Sequence, residues 1–290
     1  MFLRALDSVT PYFQRARGVL ATDDTRRAAV TLGLVLCLLA GARGAGLLGG
    51  SPVAEAAEGA YAAGSTLLAP SSQAFLIWPL IYLGLLAFTA FQWLPGQRIS
   101  PWQRAVGWYA AAAMLLHAAW VAAAAAGLVG LSLLIMLALA AALAGGISAL
   151  SRLPAASRAE AVFMDVPLGI YLGWILLAAG ANAASWLAAL GGDLFGWGPH
   201  VWGVLATGLV AFAGAVAAMT GRGRMSVAAA LCWGLFWLAL ARVTGEPASV
   251  PVAVTAGFGF LFVLVCGGSR TFQVAHEERR AFRQGYLPGA

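Results

Sequence analysis

The sequence contains no lysine. All 17 of its basic side chains are arginine, set against 11 acidic residues, and charged residues make up only 10% of the chain. A soluble domain cannot clothe itself in so little charge when 61% of its residues are hydrophobic. The net charge of +6 does not mark a nucleic-acid surface either, because the arginines come one or two per loop rather than as a patch. Cysteine is also scarce. Cys37, Cys232 and Cys266 each lie alone in an apolar run with no CxxC pair, which excludes a disulfide framework or a thiolate metal site. The three histidines, His117, His200 and His276, show no HxxxH or His–carboxylate spacing, so the expected metal complement is none. No Walker loop, dinucleotide fingerprint or nucleophile–base pair occurs. An enzyme would have to assemble its chemistry from Trp, Tyr, His and Asn, and no catalytic residue is assigned. The alternation of a membrane barrel is missing. The N-terminus carries Asp7, Asp23 and Asp24 and lacks a short apolar core with a cleavage site, so no signal peptide is expected.

What the chain has in abundance is long apolar runs. Mean hydropathy is +0.85, and several segments exceed the ~18 residues that mark a membrane span. The fold class is therefore all-α, a polytopic helical membrane protein with eight transmembrane helices. The spans are read at residues 28–49, 73–94, 105–126, 130–150, 165–190, 199–220, 225–243 and 250–268. Residues 1–27 form an amphipathic leader with five arginines, and 269–290 a basic tail. Loops holding Arg98, Arg104, Arg152, Arg158, Arg222 and Arg224 alternate with arginine-poor ones, which places both termini in the cytoplasm. Only Arg43 and Arg242 fall at the other side, Arg43 near the end of span 1 where it can snorkel. Arginine without lysine, in an Ala- and Gly-rich chain, is the codon habit of a GC-rich bacterial genome, so the expected location is a bacterial inner membrane. A turn-rich stretch, 191–198, separates five spans from three, and no internal repeat appears.

The fifth span carries the strongest polar signal. Tyr171, Trp174, Ala178, Ala181 and Asn182 recur at steps of three and four and share one helix face. An amide in hydrocarbon leaves donors and acceptors unpaired, so Asn182 must face protein or a cavity. The same span holds Gly169 and Gly173, a GxxxG that lets helices approach closely. Asp165 followed by Pro167 reads as an N-cap at its start. On span 2, Phe75, Trp78, Tyr82, Leu85, Thr89 and Gln92 fall on one face, with Pro79 expected to kink the helix. That face reads either as an interfacial aromatic belt or as a ligand-lining wall. Span 3 offers Tyr109, Leu116, His117 and Trp120 on one arc.

Three of these features, in this order, resemble the tryptophan-rich sensory protein / translocator protein family (TspO/MBR). Trp78 and Tyr82 match its second-helix W-x-x-x-Y. His117 and Trp120 stand where the family shows N-x-x-W, with histidine in place of asparagine. Trp174 and Asn182 match its fifth-helix W…N. The resemblance covers residues 28–190 and makes the chain look like an extended, divergent member. It implies a five-helix bundle whose pocket, near the first extracytoplasmic loop, binds a porphyrin (tetrapyrrole) or other flat hydrophobic ligand, sterol-like lipids included. The ligand-binding residues implied are Phe75, Trp78, Tyr82, His117, Trp120, Tyr171, Trp174 and Asn182. No cofactor is implied beyond a bound porphyrin or haem-like ligand. The partners implied are membrane lipid and the small hydrophobic ligand, with a homodimer among the assemblies. The family's loop tryptophan and proline pair are missing; Tyr61 and Pro70 are the nearest substitutes. The sterol motif after the fifth helix is missing as well. Spans 6–8 have no counterpart in a five-helix bundle. Two other readings stay open: a secondary transporter using Asp165, His117 or Arg43 to carry protons, and a membrane enzyme acting on a tetrapyrrole or isoprenoid.

Overall fold

A computed structural model of the chain describes residues 22–153, 157–191, 193 and 195–283. Most of the expected leader, 1–21, and the last seven residues of the tail lie outside that range. The described residues hold eight helices long and apolar enough to cross a membrane, and no strand. Their main α-helical segments are α1 (Asp23–Gly44), α2 (Ile77–Phe91), α3 (Pro101–Ala125), α4 (Val129–Ser151), α5 (Val166–Ala189), α6 (Pro199–Met219), α7 (Met225–Thr244) and α8 (Val250–Arg283), the second and fifth spans beginning earlier, at Ser72 and Arg158. The chain is a polytopic helical membrane protein.

Polar chemistry at the helix ends explains where the observed bounds depart from the hydropathy reading. α1 starts five residues before residue 28, because Thr22 caps it through the Thr25 N–H and Asp23 and Asp24 fill its first turn. Those aspartates are tied down by Arg104 and Arg98, at 2.6 and 2.7 Å. α8 runs on to Arg283, well past Gly268. Arg270 Nε donates to the Gly221 carbonyl at 2.9 Å and Glu278 pairs with Arg222, so the loop after α6 holds the extension.

Asp165 does not cap α5. Its backbone is already helical and it makes no capping bond. The cap is Ser157, whose side chain accepts the Glu160 N–H while Glu160 reaches back to the Ser157 N–H. The helical path then widens into one π-turn, Ala161–Asp165, just before Pro167, where the ring cannot donate to the preceding turn. Asp165 instead accepts from Arg224 Nε at 2.9 Å, fastening α5 to the start of α7. Pro79 does not kink α2 either. It sits in the first turn, after a 3-10 turn over Ser72–Leu76.

The helices pack in the spatial order α1, α3, α4, α5, α7, α8 and α6, with α6 also leaning on α5 and α7. Gly169 and Gly173 serve the α5–α7 contact: a Cβ at Gly173 would run into the Val227 carbonyl, and one at Gly169 into Ser226. The close approach expected of the GxxxG is thus made inside one chain, onto one of the three added helices. α2 stands outside that series. It touches α1 and α5 more lightly than the successive members of the series touch each other, and the gap it leaves is the cavity.

Candidate ligand-binding cavity

The cavity has a volume of about 650 Å³ and is lined by α1, α2, α3, α4 and α5 and by the loop between α1 and α2. That volume lies within the ~300–1,000 Å³ of small-molecule sites. Its walls are overwhelmingly apolar: Leu38, Val53, Val121, Met136, Leu177 and stretches of alanine. No Asp, Glu, Lys or Arg is among the lining residues.

At its centre four rings from three helices meet. Trp78 and Tyr82, one turn apart on α2, stack at 5.4 Å and 24°. His117 from α3 lies 4.7 Å from Trp78, and its Nε2 is 3.2 Å from the Tyr82 hydroxyl. Trp174 from α5 meets Trp78 edge-on at 6.2 Å and Phe75 at 5.7 Å. Edge-to-face pairs of this kind each add about 0.5–1.5 kcal/mol beyond their buried area. Gly41 on α1 makes the arrangement fit, since a Cβ there would overlap the Tyr82 hydroxyl.

The α1–α2 loop forms the other end. Tyr61 crosses the cavity so that its hydroxyl lies 2.8 Å from Ser132 Oγ on α4, while its ring meets Trp120 edge-on at 6.1 Å. Ser132 is also 3.2 Å from Asn182 Oδ1 and 2.8 Å from the Val129 carbonyl. Ser185 donates to the Ala60 carbonyl at 2.6 Å, fixing the loop to α5. Burial raises the Tyr61 phenol above its ordinary range, and the Ser132 hydrogen bond offsets part of that rise, so the hydroxyl keeps its proton at neutral pH.

Of the eight residues expected at the site, Phe75, Trp78, Tyr82, His117, Trp120, Trp174 and Asn182 border this cavity; Tyr171 does not. Tyr171 is fully buried behind it, 6.3 Å from Trp78 and 6.4 Å from His117. Thr89 and Gln92 share the face of Trp78 but not its depth. Gln92 Nε2 donates to the Arg27 carbonyl at 3.2 Å and lies 3.4 Å from Thr31 Oγ1, pinning α2 to α1 at the arginine-rich end. Tyr109 packs over Gly145 and Gly146 of α4 instead. Reasoning from helix faces missed Tyr61, Ser132, Gly41 and Met136. For Tyr61 one signal was present: it is the only aromatic in the loop.

Several buried polar atoms around the cavity have no partner: Trp174 Nε1, Trp120 Nε1, Asn182 Nδ2, His117 Nδ1 and the Tyr171 hydroxyl. A buried donor left unmade costs about 1–3 kcal/mol, so this concentration is a liability unless something else fills the cavity. Among the described residues no group of His, Cys, Asp or Glu is clustered to hold a metal.

A family model described as TSPO-like protein matches residues 30–267. The chain belongs to that family. The match runs through the first five helices and on through α6, α7 and most of α8, so it takes in the three added helices as well as the cavity. Neither a curated protein nor a solved structure matches the chain.

Proposed function

We propose that this TSPO-like membrane protein binds or senses a planar hydrophobic ligand, a porphyrin or a sterol-like lipid, in the cavity between α1, α2, α3, α4 and α5. One observation carries the reading: Trp78, Tyr82, His117 and Trp174 converge on an apolar cavity, with Tyr61 and Asn182 at its other end. Flat apolar ligands gain from such edges and faces, and a few placed polar groups fix their orientation. The setting we propose is a bacterial inner membrane with both termini cytoplasmic, so that the α1–α2 loop forms the outer mouth. If the protein dimerises, the dimer uses a face other than Gly169 and Gly173, which α7 already covers.

The transporter reading has less to rest on. Its carriers are dispersed: Asp165 is bound to Arg224, Arg43 is exposed and donates to the Ser51 carbonyl at 3.3 Å, and His117 sits among aromatic rings. Titration of the protein in nanodiscs with a porphyrin, read by quenching of tryptophan fluorescence, tests the binding reading. Saturable quenching is expected, and Trp174→Ala should weaken it about tenfold, the loss of a stacking surface and its burial. Unchanged affinity in a folded Trp174→Ala protein would overturn the assignment.

A further inference from the structure

Two properties of the cavity bear on the chemistry of what fills it. The first is charge. Among its lining residues none is a formal cation or anion, and polar surface is a small minority. The nearest arginine in sequence, Arg43, lies between the lining residues Ala42 and Gly44 but is not itself part of the lining. Its guanidinium leans on Gly50 and donates to Ser51 at the rim. A carboxylate drawn into such a space would lose its hydration and meet no counter-ion.

The second is the sign of the unmet hydrogen bonds. Trp174 and Asn182 are 2% and 3% exposed, and each has an N–H without a partner in the cavity wall. Trp120 adds a third such N–H. The unpartnered atoms of these three residues are all N–H donors; an indole N–H cannot accept, and Asn182 Oδ1 lies 3.2 Å from Ser132 Oγ. Tyr82, Ser132 and Ser185 have partners within the protein. His117 Nδ1, a donor or an acceptor by tautomer, is the one other unpartnered side-chain atom of the lining. The wall therefore has at least three N–H donors to spare and no fixed charge.

Resting on the binding reading above, we infer that the ligand is an uncharged, mainly apolar molecule carrying a hydrogen-bond acceptor, a carbonyl, ester or ether oxygen, that engages the N–H groups of Trp174 and Asn182. A free porphyrin dicarboxylate is then a poor match, whereas the same ring with its acids esterified is a good one. The acceptor supplies what the wall lacks, and the ring or chain fills the apolar remainder.

Three probes of one shape separate the alternatives: protoporphyrin IX, its dimethyl ester, and an alkyl-only porphyrin without side-chain oxygens. Each is titrated into full-length protein in nanodiscs, with empty nanodiscs as the partition control. The ester should bind at least about tenfold more tightly than the diacid and several-fold more tightly than the alkyl porphyrin. Trp174→Phe keeps an aromatic face and removes the N–H, so it should shrink the gap between ester and alkyl porphyrin. Asn182→Leu gives a second reading of the same gap should the first variant fold poorly. Equal or tighter binding of the diacid, above all if Arg43→Gln loosens it, overturns the inference and makes the ligand an anion held at the rim. Equal binding of all three leaves planarity as the only requirement and overturns it too, with the binding reading intact. Saturable quenching by none of the three sinks the planar-ligand reading itself and this inference with it.

Discussion

Arg242 Nη2, near the end of α7, donates to the carbonyl of Ala69 at 3.3 Å, across 173 residues of sequence. The same guanidinium donates to the carbonyls of Thr66 at 3.3 Å and Pro247 at 2.6 Å, and the side chain is 1% exposed. Ala69 and Pro70 line the cavity, and Leu67 and Leu68 pack onto Val252 of α8 and Val204 of α6. Trp233 on α7 adds a hydrogen bond of 2.9 Å to the Ala74 carbonyl, next to Phe75. The three added helices are therefore built into the rim of the cavity. Arginine suits the task because its planar fork reaches several carbonyls at once.

Replacing that fork should loosen the rim. Arg242→Met leaves the Ala69, Thr66 and Pro247 carbonyls without their donor, a loss on the order of 1–3 kcal/mol. Arg242→Lys keeps the charge but not the fork, and should fall between. Thermal melts in detergent check the order wild type, Lys, Met. A Met variant as stable as wild type would mean the clamp contributes nothing.

This clamp shows where sequence reasoning stops. Apolar runs and arginine-bearing loops define the eight spans, because hydrocarbon imposes length and polarity on each segment separately. Repeats of three and four also bring Trp78, Tyr82, Trp174 and Asn182 onto the faces that border the cavity. Periodicity does not report depth, however. Gln92 is 14 residues from Trp78, about 20 Å along the axis at 1.5 Å per residue, so it pins helix ends while Trp78 lines the cavity. Nor can a local pattern reveal a distant partner. Asp165 before Pro167 has the form of a cap, yet its partner is Arg224, 59 residues on. Tyr61 reaches Ser132 across 71 residues for the same reason.

The arginine asymmetry predicts sidedness. In a Cys266→Ser background, Ser65→Cys on the α1–α2 loop should react with a membrane-impermeant maleimide from outside intact cells. Gly96→Cys, exposed in open space at the arginine-rich end, should react only after permeabilisation. The reverse pattern would invert the topology.

Asp165 and Arg224 should matter for stability rather than binding. The carboxylate bridges α5 and α7 at 2.9 Å, and Arg224 also reaches Ser151 at 3.0 Å. Removing one partner of a largely buried pair leaves the other charge uncompensated, so Asp165→Asn should lower the melting temperature. Porphyrin affinity should stay unchanged, because neither residue lines the cavity. A variant with intact stability and altered ligand handling would return Asp165 to the role of proton carrier.

Asp193 gives the chain an acid-sensitive corner. Burial works against its charge, but N–H bonds from Gly198, Trp202 and Trp197 outweigh it and hold the carboxyl below its ordinary value. A folded value below the unfolded one means the stabilisation is present above about pH 3.8 and fades as pH falls further. Phe195, Trp197 and Trp202 stack beside it at 5.3–5.7 Å. Emission from this cluster should hold steady from pH 7 to pH 5 and change below pH 4. Asp193→Asn should remove the transition, and a wild-type change centred near pH 6 would assign it to another group.

Asn182 joins packing to binding, and its two amide atoms separate the roles. Oδ1 lies 3.2 Å from Ser132, whose hydroxyl continues to Tyr61, whereas Nδ2 has no partner. Interhelical hydrogen bonds in membranes average about 0.6 kcal/mol and reach ~1.7 kcal/mol. Asn182→Leu should therefore cost little stability, since leucine replaces the amide with apolar packing. A double-mutant cycle with Ser132→Ala should return a coupling in that range. Binding of an oxygen-bearing ligand should fall more steeply, because a leucine side chain offers no donor to the acceptor and Tyr61 would lose part of its support through Ser132. Melting curves of the four proteins, each with and without the porphyrin ester, give both quantities in one experiment. If Asn182→Leu lowers the melting temperature sharply while the ligand-induced rise remains that of wild type, Asn182 is a packing residue alone and the Nδ2 atom takes no part in the site.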